Sequence, residues 1–375
     1  MDLRAIVIIG GADDTQEQFA GVPIAHLDVL GSSVLDRVLD RLQVQNVAAI
    51  SVVGDLSEQR AGSRRAGIAY VNAVDGSLWR SAEAAFNEQA QAGADTVLVL
   101  RLGSYTELNF EHLIQFHLDN AARVTAVVDC HGELLDRFVI SASRRNDAAF
   151  LFRSELKQFR SGHTKYEYTG YCNRLKTAAG LRQLAIDAFS SDNELKPAGQ
   201  QIRPGVWVAE GARIQRGARL LAPCFIGANA KVRAHAVVTR CSAVERETCI
   251  DFGTVVENAT VLPYTSIGAG LDIMHSVVGF RRIAHLVRHA EIEVNDPKLV
   301  NAGSTAAPIR ALSHALSLAT FLPKQLVHGL TNANKPKPAS LPEAVRTPSS
   351  ALKQGSAATE RPEGEFDAPF IVARR

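Results

Sequence analysis

An aliphatic residue returns every six positions along one stretch of the chain: Ile202, Val208, Ile214, Leu220, Ile226, Val232, Val238, Val244, Ile250, Val256 and Leu262. The fifth place of the same eleven hexads holds Val206, Ala212, Ala218, Cys224, Ala230, Ala236, Ser242, Thr248, Thr254, Thr260 and Ser266, all small or β-branched. A period of six fits neither an α-helix nor the alternation of a single strand. It suits a coil of three short parallel strands per turn, with the aliphatic residue filling the axis and the small one letting the backbone pass a tight corner. At three hexads per turn the stretch predicts roughly four turns. Beyond Ile267 the frame slips by one, with Ile267 and Ile273 out of step. Ser276–Gly279 and Ala290–Val294 are expected to be the last strands, closing an end that would otherwise present unpaired backbone groups.

The first half reads differently. Leu3–Ile9 is an apolar run ending at Gly10-Gly11, which suits a buried parallel strand and a tight turn. Ser32 and Ser33 can cap a helix that places Val34, Leu35, Val38, Leu39 and Leu42 on one face. Strands are expected at Ala48–Val53, Gly67–Val71, Thr96–Leu102, Arg123–Val128 and Phe138–Ser141. Helices are expected at Leu78–Ala92, Glu111–Asn120, Ser154–Arg160 and Ala179–Phe189, with an apolar piece at Ala148–Phe152. Alternating strands and helices predict an α/β domain with a mostly parallel sheet. The polar run Ser190–Gln201 is the expected junction with the coil.

From Ala307 to Leu330 an amphipathic helical pattern follows, with Ile309, Leu312, Leu316 and Leu322 on one face and Pro323 as its break. It is expected to pack on the coil or on a partner subunit, with a membrane surface as the lesser alternative. From Thr331 onward the chain carries six of its fourteen prolines and reads as a disordered tail. The expected divisions are thus 1–195, 200–295, 304–330 and 331–375. A formal net charge of +2 gives no global attraction to nucleic acid. No run of 18 apolar residues is present, so no transmembrane segment is expected. Met1 leads straight into a strand without a basic leader, and the five cysteines form no C-x-x-C pair, so a cytoplasmic, reduced protein is expected. The three cysteines of the coil region are expected to be close-packed apolar filler.

The hexads resemble the left-handed parallel β-helix, an exception to right-handed crossovers. With the α/β half before them they resemble the sugar-1-phosphate nucleotidyltransferases, notably the mannose-1-phosphate guanylyltransferase and glucose-1-phosphate adenylyltransferase branch. The residues that carry the likeness are Ala5–Gly11 (AIVIIGG), Asp28–Leu42, Thr96–Leu100 (TVLVL), Gly170-Tyr171 and His275–Phe280 (HSVVGF), in that order. The resemblance covers roughly residues 3 to 280. It implies an α/β fold of an N-terminal Rossmann-like nucleotidyltransferase domain followed by a left-handed parallel β-helix of hexapeptide repeats. It also implies attack of a sugar phosphate on the α-phosphate of an NTP, with pyrophosphate as the leaving group, Mg²⁺ if the site is active, and Gly10 and Gly11 as nucleotide-binding residues.

Such chemistry is almost all positioning and charge neutralisation, and the charged parts of the family pattern are altered. The loop G-G-x-G-T-R reads Gly10-Gly11-Ala12-Asp13-Asp14-Thr15, with Asp13 for the third glycine and Thr15 for the arginine. Gly21–Gly31 holds no lysine where the family has one before a proline. Gly103 stands where one metal carboxylate is expected and Arg174 where the other is, with Glu107 the nearest carboxylate. The leading expectation is therefore a catalytically degenerate relative acting as a regulatory or scaffolding subunit of sugar-nucleotide or polysaccharide metabolism. It would assemble as a homo-oligomer or with an active pyrophosphorylase. Arg101, Arg174 and Lys176 could leave a cationic pocket for a nucleotide or sugar phosphate, or could be solvated surface charge. Two alternatives stand beside this one: an active enzyme rebuilt around Asp13 and Asp14 as metal ligands, and an acyltransferase using His235, or second His275, as base.

Overall fold

The apolar run Leu3–Ile9 forms strand β1, buried along nearly its whole length as a strand covered on both faces must be. The computed structural model describes residues 1–10, 18–20, 22–54, 65–73, 77–158, 160, 162–190 and 194–302. Six further strands join β1 in one sheet: β2 (Ala49–Gly54), β3 (Ile68–Asn72), β4 (Thr96–Arg101), β5 (Val124–Val128), β6 (Leu134–Ser141) and β7 (His163–Glu167). The order is β7-β5-β6-β4-β1-β2-β3, and only β6 runs antiparallel to its neighbours. The first half is a mixed α/β arrangement around a largely parallel sheet, as the alternating pattern requires.

Helix α1 (Val34–Val44) begins at Ser33, whose Oγ accepts the Asp36 amide at 3.0 Å. Its buried residues are the five apolar positions expected from their spacing. Helices α2 (Leu78–Gln91), α3 (Phe110–Asp119), α4 (Arg145–Arg153) and α5 (Ala178–Asp187) follow. The piece Ala148–Phe152 lies inside α4, because Ala148, Leu151 and Phe152 recur at helical spacing and bury one face. The helix expected at Ser154–Arg160 is not formed: Ser154–Leu156 is a turn, with Glu155 and Leu156 in left-handed backbone at φ 54° and 61°. Strand β7 had no clear sequence signal, since its side chains are exposed or half-buried rather than alternating with a core.

From Val206 the strands visit three sheets in strict rotation, each pairing in parallel with the strand one turn later. Val206 faces Cys224 and Cys224 faces Ser242, a spacing of 18 that is three hexads. Four turns are complete by Met274. Both hexad positions singled out in the sequence point inward. Ile226, Val232, Val238, Val244, Ile250 and Val256 fill the axis, and Ala230, Ala236, Ser242, Thr248 and Thr254 lie buried beside them. The corners themselves fall one place earlier than expected, at the fourth position. There Gly211, Gly217, Asn229, His235, Glu247 and Gly253 all take positive φ, between 56° and 89°. The buried hydroxyls bond to backbone instead: Thr248 Oγ1 donates to the Glu245 carbonyl at 2.8 Å and Ser242 Oγ to that of Val256 at 3.1 Å.

The frame slips earlier than the sequence suggested. Val238 faces Val256, 18 apart, but Val244 faces Val261, 17 apart. One residue is lost near Asn258, and Val261, Ile267 and Ile273 then continue the interior in step. Leu262 is turned outward into a different core. The first hexad also fails: Ile202 sits in an antiparallel strand (Gln200–Arg203) and is 51% exposed. Of the three coil cysteines only Cys224 is interior filler; Cys241 occupies a corner at φ 57°, and Cys249 faces outward beside Lys231. The last turn is closed by antiparallel strands at Arg282–His285, Ala290–Glu293 and Val300–Ala302.

The sheet half and the coil share a core in which Val29, Leu30, Val34 and Leu184 meet Phe225, Ala243, Leu262 and Val277. No helix of the described residues is long and apolar enough to cross a membrane. The segments 304–330 and 331–375, together with Gly11, Asp13, Asp14 and Thr15, lie outside the described residues.

Candidate functional site

In an open sheet of parallel strands, ligands sit beyond the carboxyl ends where the strand order reverses. Here the chain winds from β1 through β2 to β3 and then returns to β4 on the other side of β1. The reversal lies between β1 and β4, which end at Ile9 and Arg101, with Gly10 the first residue past β1. Gly10 has φ 95°, a backbone state that glycine adopts without strain.

Arg101 crosses this gap. Its Nε donates to the Gly10 carbonyl at 3.1 Å and its Nη1 to Asp136 Oδ2 at 2.6 Å, and only 7% of the side chain is exposed. Asp136 itself holds φ 56° inside β6, an uncommon state for a residue other than glycine that aims its carboxylate at the guanidinium. Behind it Arg137 is fully buried, donating to Ser104 Oγ at 2.8 Å, the Ser104 carbonyl at 2.7 Å and the Leu135 carbonyl. Burial lowers its pKa to about 10, against the pull of Asp136, so it remains a cation at neutral pH.

Arg174 occupies the far side, on a strand (Cys172–Arg174) paired antiparallel with Ser104–Thr106. Its Nη2 lies 2.9 Å from Asp129 Oδ2 and 2.5 Å from Glu133 Oε2. Desolvation opposes the charge on Asp129. The amide of Glu133, the Arg174 guanidinium and the amide of His131 outweigh it and hold the carboxyl below its usual range. Lys176 is exposed and two residues further on. The three cations do not form an open cationic pocket: Arg101 and Arg174 are each matched by carboxylates. Glu107 is taken up by the junction, accepting the Leu195 amide at 3.0 Å. Nearby, Tyr171 donates to Asp187 Oδ2 at 2.6 Å, and both burial and that carboxylate raise its pKa.

The coil histidines are placed as corners. His235 stands at φ 60° with its ring edge-on to Phe252, centroids 5.3 Å apart, and makes no hydrogen bond among the described residues. A base for acyl transfer needs an orienting partner, which His235 does not have in this geometry. His275 Nδ1 is 2.7 Å from Asn258 Nδ2, a contact that braces the corner where the frame slips. Among the described residues, no group of three or more His, Cys, Asp and Glu is placed to hold a metal ion.

A second charged cluster joins the two halves, and the hexad frame carries no sign of it. Glu245, buried completely, accepts the Leu30 amide at 2.7 Å and the Gly31 amide at 2.8 Å. Leu30 and Gly31 both have positive φ, 53° and 97°, so their N–H groups converge on the carboxylate as on an anion. Burial and the neighbouring Asp28 raise the pKa of Glu245, while those two amides and Arg37 oppose the rise. Arg246 Nη2 donates to Asp28 Oδ1 at 3.0 Å, and its Nε lies 2.9 Å from Oδ2. Arg182 on α5 reaches the coil as well, donating to Asn258 Oδ1 at 2.7 Å. Consecutive Glu245 and Arg246, two and three residues past Ala243 in the outward row Trp207, Phe225 and Ala243, are the signal the sequence offers.

No protein-family model matches this chain, and no curated protein matches it either, so what the chain does rests on the geometry above.

Proposed function

We propose that the chain is a relative of the sugar-1-phosphate nucleotidyltransferases in which transfer chemistry has been lost, acting as a regulatory or scaffolding subunit. Its coil is a left-handed parallel β-helix of hexapeptide repeats. The recurrent positive φ at the fourth hexad position and the parallel three-sheet rotation support that reading of the coil.

One observation carries the functional reading: guanidinium groups stand among the crevice carboxylates where a divalent cation would have to bind. Arg174 is ion-paired to Asp129 and Glu133, and Arg101 to Asp136. With Gly103 at one expected metal position and Arg174 at the other, the described residues of the crevice do not fit Mg²⁺. A metal would have to displace a partly buried ion pair, and breaking such a pair strands a charge at a cost of several kcal/mol. Arg101 also bonds to the Gly10 carbonyl, which ties down the first residue of the glycine pair expected to receive a nucleotide.

The partners that suit this reading are a second copy of the chain or an active pyrophosphorylase. The test is pyrophosphate release by purified protein with Mg²⁺, over all four NTPs and a panel of sugar 1-phosphates. No turnover is expected. Sustained pyrophosphate release that requires both an NTP and a sugar phosphate overturns the proposal.

A further inference from the structure

Charge is distributed unevenly along the coil. From Ile202 to Arg240 there are seven arginines and lysines and one carboxylate, Glu210. From Cys241 to Ala302 the balance reverses, with five basic residues and eight acidic ones. The early turns are therefore a strongly basic block in a chain whose net charge is only +2.

Two of the seven stand side by side on one sheet. Arg213 and Lys231 face each other directly in the parallel register, and both are exposed. Like charges opposite each other in a sheet destabilise it, and neither meets a carboxylate among the described residues. On the adjoining row Arg233 is paired with Asp251 at 3.2 Å, and Gln215 Oε1 accepts the Ala234 amide at 3.1 Å. Arg213, Gln215, Lys231, Arg233 and Asp251 line a cleft of about 440 Å³ with Phe252 at its edge. Phe252 is 56% exposed, with its ring supported from the side by His235. An exposed aromatic ring and two facing unneutralised cations contribute nothing to the coil's own stability. Together they match an anion joined to a flat ring, and the cleft has the size of a small-molecule site.

We propose that this outer face of the coil binds a phosphate ester carrying two or more negative charges and a planar ring. The phosphates lie between Arg213 and Lys231, and the ring rests on Phe252. The site is separate from the crevice between β1 and β4 and does not depend on whether that crevice has lost its transfer chemistry.

The probes are ADP, inorganic pyrophosphate and adenosine, titrated calorimetrically into the full chain at low ionic strength. ADP and pyrophosphate are expected to bind and adenosine to give no heat. The double variant Arg213→Glu/Lys231→Glu should weaken both anions at least about tenfold, since each charge-assisted hydrogen bond is worth that much. Phe252→Ala should weaken ADP but not pyrophosphate. All three residues are exposed, so circular dichroism matching the parent is expected for each variant. Arg174→Ala, in the crevice, should leave ADP affinity unchanged. Absence of heat from both ADP and pyrophosphate at millimolar concentration overturns the proposal. So does ADP affinity that survives the double charge reversal or is lost in Arg174→Ala.

Discussion

Replacing Glu245 tests how the two halves are held together. The side chain is fully buried and accepts two convergent amides, Leu30 at 2.7 Å and Gly31 at 2.8 Å. Glu245→Ala strands both amides, and a buried unsatisfied donor costs about 1–3 kcal/mol. Relief of repulsion with Asp28 and of the carboxylate's own desolvation offsets part of this, which leaves about 2–4 kcal/mol of lost stability. The pH dependence gives an independent check. The folded pKa of Glu245 is raised above its ordinary 4.5 by burial and by Asp28. In the window between the two values the folded state binds more protons than the unfolded one, so stability falls as pH rises. The contribution is complete below pH 4.5 and is lost as pH climbs through the raised folded value. Glu245→Gln cannot ionise, so its stability relative to the parent should improve from pH 5 to pH 8 by up to about 1.4 kcal/mol per pH unit. Urea unfolding curves at four pH values would measure both variants. If Glu245→Ala costs less than about 0.5 kcal/mol, in the range of an ordinary surface change, the amide cradle is not holding the halves together. If the difference from Glu245→Gln instead moves in the parent's favour as pH rises, the two amides outweigh burial and the folded pKa is lowered rather than raised.

Arg246→Ala removes the guanidinium from Asp28, a residue with no exposed surface. About a third of the Arg246 side chain is in water, so the expected loss by urea unfolding is about 2 kcal/mol, below that of a fully buried pair. Gly31→Ala places a Cβ 2.7 Å from that of Ala198 in a residue at φ 97°. Strain and overpacking together should cost about 2–3 kcal/mol, seen as a lower melting temperature by calorimetry.

What the sequence discloses depends on how many residues a feature needs before it repeats. The strand Leu3–Ile9 and the buried face of α1 are local patterns, and each forms where its residues place it. The coil interior repeats every six residues and was equally legible. The face by which the coil meets the sheet domain repeats only once per turn. Trp207, Phe225 and Ala243 are its outward residues, and the corresponding places on a neighbouring face are Arg213 and Lys231. Read every 18 residues, apolar against charged, the sequence does mark the covered face; read every six, it does not. The slip near Asn258 was misplaced for a related reason. Val261 and Leu262 are adjacent aliphatics, and only the pairing of Val244 with Val261 decides which one lies inside. The crevice was legible as losses, Gly103 and Arg174 among them, but not as pairings. Asp129, Glu133 and Asp136 lie far in sequence from Gly103 and Arg174, and strand β6 carries Asp136 back beside β4.

The two charged clusters make opposite demands on the same kind of chemistry. In the crevice, each guanidinium is already matched: Arg101 by Asp136 and the Gly10 carbonyl, Arg174 by Asp129 and Glu133. An incoming anion there must compete with carboxylates built into the fold, so it gains little from those cations. On the coil, Arg213 and Lys231 face each other without such partners, and an anion placed between them relieves a repulsion that folding has left in place. Electrostatic driving force for binding a phosphate is thus greater on the coil than in the crevice. The facing pair on the coil is free of the competition from carboxylates that Arg101 and Arg174 meet in the crevice. The Glu245 and Arg246 contacts give the coil a rigid route to the Asp28–Gly31 segment just ahead of α1. Weakening that route with Glu245→Ala should leave ADP affinity on the coil intact while lowering the stability of the whole unit, because the binding residues and the cradle lie on different faces of the coil.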